Sequence, residues 1–273
     1  MKLGLINSAW FGSPANTAEG IRRTKEIGFD TIDIFADPLE IAAVERRLIR
    51  QTCVAACLPV VSIACVSLGL GDFNNSVRRF HIDRAKRHLD LGYDLFAHNL
   101  LLVLGEYVWQ QEVIAPSDQW KMAVDATREV GEHAAALGME VAIELEPFQL
   151  SLVNNITKMV HFLEDVNHPA VRANVDISHV HLAHEPPSSL AKLKGRIAHV
   201  HLSDCDGTKH GDLPPGRGVV NFMLYLEALR DTGFDGTISI ELEYSPEPER
   251  ITEWVTEAYR KTDDMMQALR IRN

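Results

Sequence analysis

The sequence predicts a single (β/α)8 barrel of the TIM-barrel class, occupying residues 1–273. Three observations predict it. Apolar runs of strand length alternate with helix-length segments eight times, glycines recur just before strands, and no linker or change of composition divides the 273 residues. Repeated βα units imply parallel strands covered by helices. Barrels of this class reach about 250 residues as one unit, and eight unbroken units favour closure over an open sheet.

The elements follow in order. Leu3–Ile6 is the first strand, followed by a helix over Thr17–Ile27. Strand two, Thr31–Phe35, precedes a helix over Pro38–Ala56, and strand three, Val60–Val66, a helix over Arg79–Leu91. Strand four, Asn99–Leu104, leads to Ser117–Leu137, and strand five, Val141–Glu146, to Thr157–Val166. Strand six, Val171–Asp176, precedes a short helix over Ser188–Leu193, and strand seven, Ile197–Ser203, a helix over Phe222–Thr232. Strand eight, Thr237–Tyr244, leads to a final helix over Glu249–Leu269. Gly28, Gly92, Gly138, Gly195 and Gly233 each stand shortly before a strand, where a left-handed residue ends a helix.

Composition narrows the function. A formal charge of −11 without any Lys or Arg run argues against nucleic acid and anionic membranes as partners. No segment approaches the ~20 apolar residues of a membrane span, and the apolar run at Met1–Asn7 is too short for a signal peptide. The four cysteines form no CxxC pair, and Cys53 and Cys57, four apart on a helix, read as core residues. A reduced, cytoplasmic setting is the expectation. GxGxxG and GxxxxGK[ST] phosphate loops are both missing from the sequence, which weakens nucleotide binding.

Catalytic groups of such barrels sit at the C-terminal ends of strands. Strand five ends Glu144-Leu-Glu146, strand six ends in Asp176, strand seven carries His199-Val-His201, and strand eight carries Glu241-Leu-Glu243. Members of each pair share a face about 7 Å apart, so one of each pair is expected to reach a common centre. A single Glu after an apolar strand is more often a solvated rim residue. Convergence over four consecutive strands points instead to a shared site. Three carboxylates and an imidazole at one mouth repel one another or stay protonated unless a cation binds them. One divalent ion fits: an oxygen-rich set with one nitrogen suits Mn²⁺ or Mg²⁺, with Co²⁺ and Zn²⁺ as alternatives. His98 begins strand four at the wrong end, and His81, His88, His133 and His161 fall in helical patterns.

These segments resemble the xylose isomerase-like barrel superfamily, specifically the sugar isomerases and epimerases related to D-tagatose 3-epimerase. The resemblance covers essentially the whole chain. It rests on Gly138-Met-Glu-Val-Ala-Ile-Glu144, Asn174-Val-Asp176-Ile-Ser-His179, His199-Val-His201-Leu-Ser-Asp204, Pro215-Gly-Arg-Gly218 and Gly233-Phe-Asp-Gly-Thr-Ile-Ser-Ile-Glu241. It implies a metal held by Glu144, Asp176, His201 and Glu241, with Glu144 and Glu241 as acid–base pair and His179 on the substrate side. His199 is then deeper and structural. Two substrate-contacting positions of the related epimerases are changed, an Arg to Gly207 and a Glu to Leu150, which argues against a simple free ketohexose. Arg217 is the candidate replacement for the lost positive charge, and Glu106 a candidate substrate contact. The three-zinc abasic-site endonucleases of the superfamily carry His ligands on strands three and four and an Asp-x-His after strand seven; this sequence has neither.

The resemblance implies a small-molecule carbohydrate substrate, either a keto-sugar or a polyol derivative, and isomerase or epimerase chemistry through an enediolate. The alternative is a dehydratase similar to the inosose dehydratases, with Asp204, Asp206 or His210 as the leaving-group acid. A non-catalytic barrel is a third reading, disfavoured by the intact ligand set. Trp10, Phe11, Tyr107, Trp109 and Phe148 are candidate pocket walls. Self-association as a homodimer or homotetramer is the expectation for barrels of this kind.

Overall fold

A computed structural model describes residues 1–104, 114–243 and 245–272. Eight strands close into one parallel barrel in chain order. They are β1 (Lys2–Ile6), β2 (Thr31–Phe35), β3 (Val60–Val66), β4 (Asn99–Val103), β5 (Glu140–Ile143), β6 (Val171–Asp176), β7 (Ile197–Leu202) and β8 (Thr237–Ile240). The helices are α1 (Thr17–Ile27), α2 (Ala43–Ala55), α3 (Asn75–Asp94), α4 (Pro116–Ala136), α5 (Ile156–Val166), α6 (Ile177–Leu182), α7 (Phe222–Asp231) and α8 (Ile251–Ala268). Strand residues such as Ile32, Ile34, Val141, Ile143, Ile238 and Ile240 are buried in the main apolar core with Phe29 of the α1–β2 turn and Phe162 of α5. None of the described helices is long and apolar enough to cross a membrane.

The differences from the expected elements have local causes. The helix expected from Pro38 begins at Ala43, because Asp37 turns the chain: its Oδ1 accepts from Leu39 N–H at 2.9 Å. Helix α3 starts four residues earlier than expected, capped by the Asn74 side chain. Gly28, Gly138, Gly195 and Gly233 take positive φ after their helices, but Gly92 lies inside α3. A Cβ there would meet Met139 Cε at 2.7 Å, so Gly92 serves close packing, and Phe96 takes the left-handed turn at φ 63°. Cys57 is likewise a left-handed, exposed residue beyond α2 and not a core residue; only Cys53 of that pair is buried.

Two differences shape the mouth. Strands β5 and β8 end at Ile143 and Ile240, before Glu146 and Tyr244, and Tyr244 itself lies outside the described residues. Glu144 and Glu241 extend each ladder by one bond, their N–H groups donating to Leu102 O and Leu202 O at 3.1 Å. The short helix α6 was not expected. It follows β6 directly, and Asp176 is its N-cap, accepting the His179 N–H.

Candidate metal centre at the barrel mouth

The arc β5–β6–β7–β8 carries the four residues proposed as ligands. Asp176 and His201 are register partners on β6 and β7, and both are fully buried. Asp176 Oδ1 accepts from His179 N–H at 2.8 Å and Ser178 Oγ–H at 2.9 Å. Its Oδ2 is buried without a hydrogen-bond partner. Ligand atoms of Glu144, Asp176 and His201 lie within 4.8 Å of one another. Glu241 joins them through His201, whose Nδ1 lies 3.2 Å from Glu241 Oε2. Asn174 Nδ2 orients Glu144 by donating to its Oε1 at 2.9 Å.

The electrostatics suit a cation. Burial opposes charge on the His201 imidazole, but Glu241, Asp33 and Glu144 outweigh it and push its pKa well up. Burial pushes the Glu241 carboxyl up, helped by Asp212 and Asp176 and opposed by His201. Burial also raises Asp176, but His179, His210 and His201 outweigh it and hold its carboxyl below the usual range. Without a cation this cluster therefore retains protons. A divalent ion would displace them and occupy the unpartnered Asp176 oxygen, and three carboxylates with one imidazole form a donor set that such ions accept.

Above the cluster opens a cavity of about 590 Å³. One wall is polar, with Glu144, Glu146, His179, His210, Asp212, Glu241 and Glu243; the other is apolar, with Ile6, Phe35, Ala64, Val66, Leu101 and Val103. Both members of each Glu-Leu-Glu sequence thus line it, where one of each was expected to reach the centre. Glu144 and Glu241 are the members beside Asp176 and His201. A groove of similar size, about 620 Å³, lies outside the barrel along α4 and α5. It includes Leu150, and Asp165 there is engaged by the Trp120 indole at 2.7 Å.

His179 lies on the cavity wall with Nδ1 against Leu145 O at 2.7 Å. A carbonyl only accepts, so Nδ1 carries the hydrogen and Nε2 is left for the cavity. His210 packs on this ring at 4.5 Å between centroids. Its Nε2 meets Asp212 Oδ1 at 2.8 Å, and its Nδ1 meets Ser178 Oγ at 3.1 Å. Ser178 donates its one hydrogen to Asp176, so it accepts from His210. Nδ1 then carries a hydrogen, and the Asp212 carboxylate beside Nε2 favours the imidazolium form. Burial opposes this, yet Asp212, Asp176 and Glu241 outweigh it and push His210 up to about 10.

Of the three leaving-group candidates, only His210 reaches the cavity. Asp204 is fully buried and accepts from the N–H groups of Cys205, Gly216, Gly218 and Val220. Asp206 is exposed and closes a turn with Thr208 and Lys209.

Arg217, the candidate for the lost positive charge, is engaged away from the cavity lining. Its guanidinium bonds Glu257 Oε2 on α8 and stacks 4.5 Å over the Trp254 ring, so it does not replace the charge lost at Gly207. Glu106, Tyr107 and Trp109 lie outside the described residues. Phe148 lines the cavity, and Phe11 stacks on the lining residue Phe35 at 6.2 Å. Trp10 instead faces α1, its indole donating to Thr24 Oγ1 at 3.0 Å.

One buried partner escaped the strand-end reading. Asp33, in the middle of β2 and 1% exposed, bonds His199 Nε2 at 2.7 Å. His199 lies two residues before His201 on β7 and is fully buried. Asp33 left one signal in the sequence, a lone carboxylate between the core residues Ile32 and Ile34.

Comparison with known proteins agrees with this architecture. Fructoselysine 3-epimerase from Escherichia coli is 25% identical over 278 residues, covering 95% of this chain and 98% of that protein. D-psicose 3-epimerase from Ruminiclostridium cellulolyticum is 25% identical over 258 residues, covering 88% and 83% respectively. The crystal structure of the IolI protein with a bound zinc atom superposes with a TM-score of 0.85 at 19% identity, over 98% of this chain and 99% of that one, a likeness of fold. Residues 21–262, from α1 into α8, match the model of one family, and the chain belongs to it: the xylose isomerase-like TIM barrels.

Proposed function

We propose that the chain is a divalent-metal-dependent sugar epimerase acting on a ketose or a ketose derivative. One observation carries the reading: Glu144 and Glu241 directly follow β5 and β8, which flank the strands that bear Asp176 and His201. Inverting a carbon beside a carbonyl requires one group to take the proton and another to return it from the opposite face. Two carboxylates at the two ends of one arc supply that pair. The 3-epimerases among the relatives support the reaction class.

Glu144, Asp176, His201 and Glu241 would hold the ion, with Mn²⁺ proposed first and Mg²⁺, Co²⁺ or Zn²⁺ as alternatives. Bound there, it acts as a Lewis acid toward the substrate carbonyl and its neighbouring hydroxyl. Either Glu144 or Glu241 removes the α-proton to give an enediolate, and the other protonates the far face. His179 Nε2 bonds a substrate hydroxyl. His210, with both nitrogens engaged, contributes a fixed positive charge that favours the developing anion.

Water loss fits less well, because Asp204 and Asp206 are committed to the loop and His210 has no nitrogen left for a leaving hydroxyl. A cytoplasmic setting and self-association as a dimer or tetramer complete the proposal. The test is incubation of Mn²⁺-loaded protein with ketoses and substituted ketoses in heavy water. Deuterium at the carbon beside the carbonyl, with inversion there, is expected. Failure of every ketose to exchange, or β-elimination without inversion, sinks the reading.

A further inference from the structure

Asp33 is an ionisable side chain sealed inside the barrel. Its Oδ2 lies 2.7 Å from His199 Nε2 and 3.5 Å from His201 Nε2. Two imidazoles of one strand therefore converge on a single oxygen of β2. An ionised carboxylate only accepts, so the nitrogens facing it carry the hydrogens. On His201 the two nitrogens face different groups. Nε2 faces Asp33, while Nδ1 faces Glu241 across 3.2 Å.

We infer that Asp33 is a positioning residue for His201, holding its Nε2–H so that Nδ1 presents its lone pair to the ion, while His199 anchors Asp33 from below. His201 Nε2, Asp33 Oδ1 and His199 Nδ1 are all buried without a hydrogen-bond partner of their own, so the 3.5 Å approach to Asp33 Oδ2 is an electrostatic contact, and no other described group competes for either Nε2 or the carboxylate. A carboxylate behind a ligating imidazole fixes its tautomer and orientation and makes the ring a stronger donor. The inference rests on the reading of His201 as a metal ligand.

The test uses full-length protein labelled with ¹⁵N-histidine, with and without Zn²⁺, and long-range ¹H–¹⁵N correlation spectra assigned with His199→Asn and His201→Gln. The expected result is a protonated His201 Nε2 and a Zn²⁺-induced shift at Nδ1. Asp33→Asn, with unchanged circular dichroism, is expected to bind Zn²⁺ about 10–100-fold more weakly by calorimetric titration. A Zn²⁺ shift at Nε2 with the hydrogen on Nδ1 overturns the inference but leaves the metal centre standing. Wild-type affinity in folded Asp33→Asn also overturns it. If the wild type binds no Zn²⁺, or binds it without moving either His201 nitrogen, the ligand reading falls and this inference with it. Should Asp33→Asn not fold, the wild-type tautomer alone decides.

Discussion

Asn174 donates its amide to Glu144 Oε1 at 2.9 Å, and the two side chains are buried together at the end of β5 and β6. A carboxylate held by a neutral donor stays aimed. Removing a hydrogen bond to a charged group costs about 1.5–3 kcal/mol. Asn174→Ala is therefore expected to lower kcat for ketose exchange by roughly 10–100-fold with a smaller change in KM. Steady-state kinetics with unchanged metal content would check it.

Glu144→Gln and Glu241→Gln remove one proton carrier each. Each is expected to lower solvent-hydrogen exchange into substrate by about 10²–10⁴-fold. Exchange at the wild-type rate in both variants would show that neither group handles the proton, and attention would pass to Glu146 and Glu243, which line the same cavity.

His210 is pushed up to about 10, above the unfolded value near 6.5, chiefly by Asp212 against the opposing effect of burial. A raised histidine adds stability that is fully present below pH 6.5 and is lost as pH rises through about 10. Asp212→Asn is expected to shrink this alkaline loss, read as a smaller fall in urea midpoint between pH 7 and 10 than in the wild type.

His88 acts in the opposite direction. It is buried on α3, and burial pushes its pKa down to about 4. A depressed histidine adds stability that is present above about pH 6.5 and is lost as pH falls through about 4. Lowering from 6.5 to about 4 corresponds to roughly 3 kcal/mol. His88→Leu is expected to flatten the acid limb of stability against pH, measured by denaturant titration between pH 7 and 4.

Gly218 has no room for a side chain: a Cβ would land on the Cys205 carbonyl and the Asp204 carboxylate. Gly218→Ala and Asp204→Ala are both expected to release residues 205–220. Hydrogen exchange there should accelerate while the amides of β1–β8 keep wild-type protection; equal protection of the loop in Asp204→Ala would refute its anchoring role.

Much of this was legible in the residues, for identifiable reasons. Asp176 and His201 end apolar strands, so period-two alternation and the C-terminal rule locate them without coordinates. The Glu-Leu-Glu sequences were legible as pairs but not as depths, since depth depends on where β5 and β8 leave the ladder. Asp33 was not legible because its partner is 166 residues away and on the far half of the barrel. Arg217 misled because a charged residue in a glycine loop says nothing of which neighbour will claim it; here Glu257 and Trp254 on α8 do. Asp204, read as a chemical candidate, proved to be a scaffold, since its four N–H donors come from a loop whose path spacing does not reveal.

That scaffold bears on how one side of the mouth is built. The β7–α7 connection is pinned at both ends to one carboxylate, with Cys205 at its start and Gly216, Gly218 and Val220 at its finish. Between them Leu213 pairs with the Asp204 backbone, while the His210 and Asp212 side chains contribute to the cavity wall and make no bond to the Asp204 carboxylate. Exchanging a side chain there leaves the four bonds to the Asp204 carboxylate in place, so the fastening of this connection and the chemistry it presents to the cavity rest on different residues.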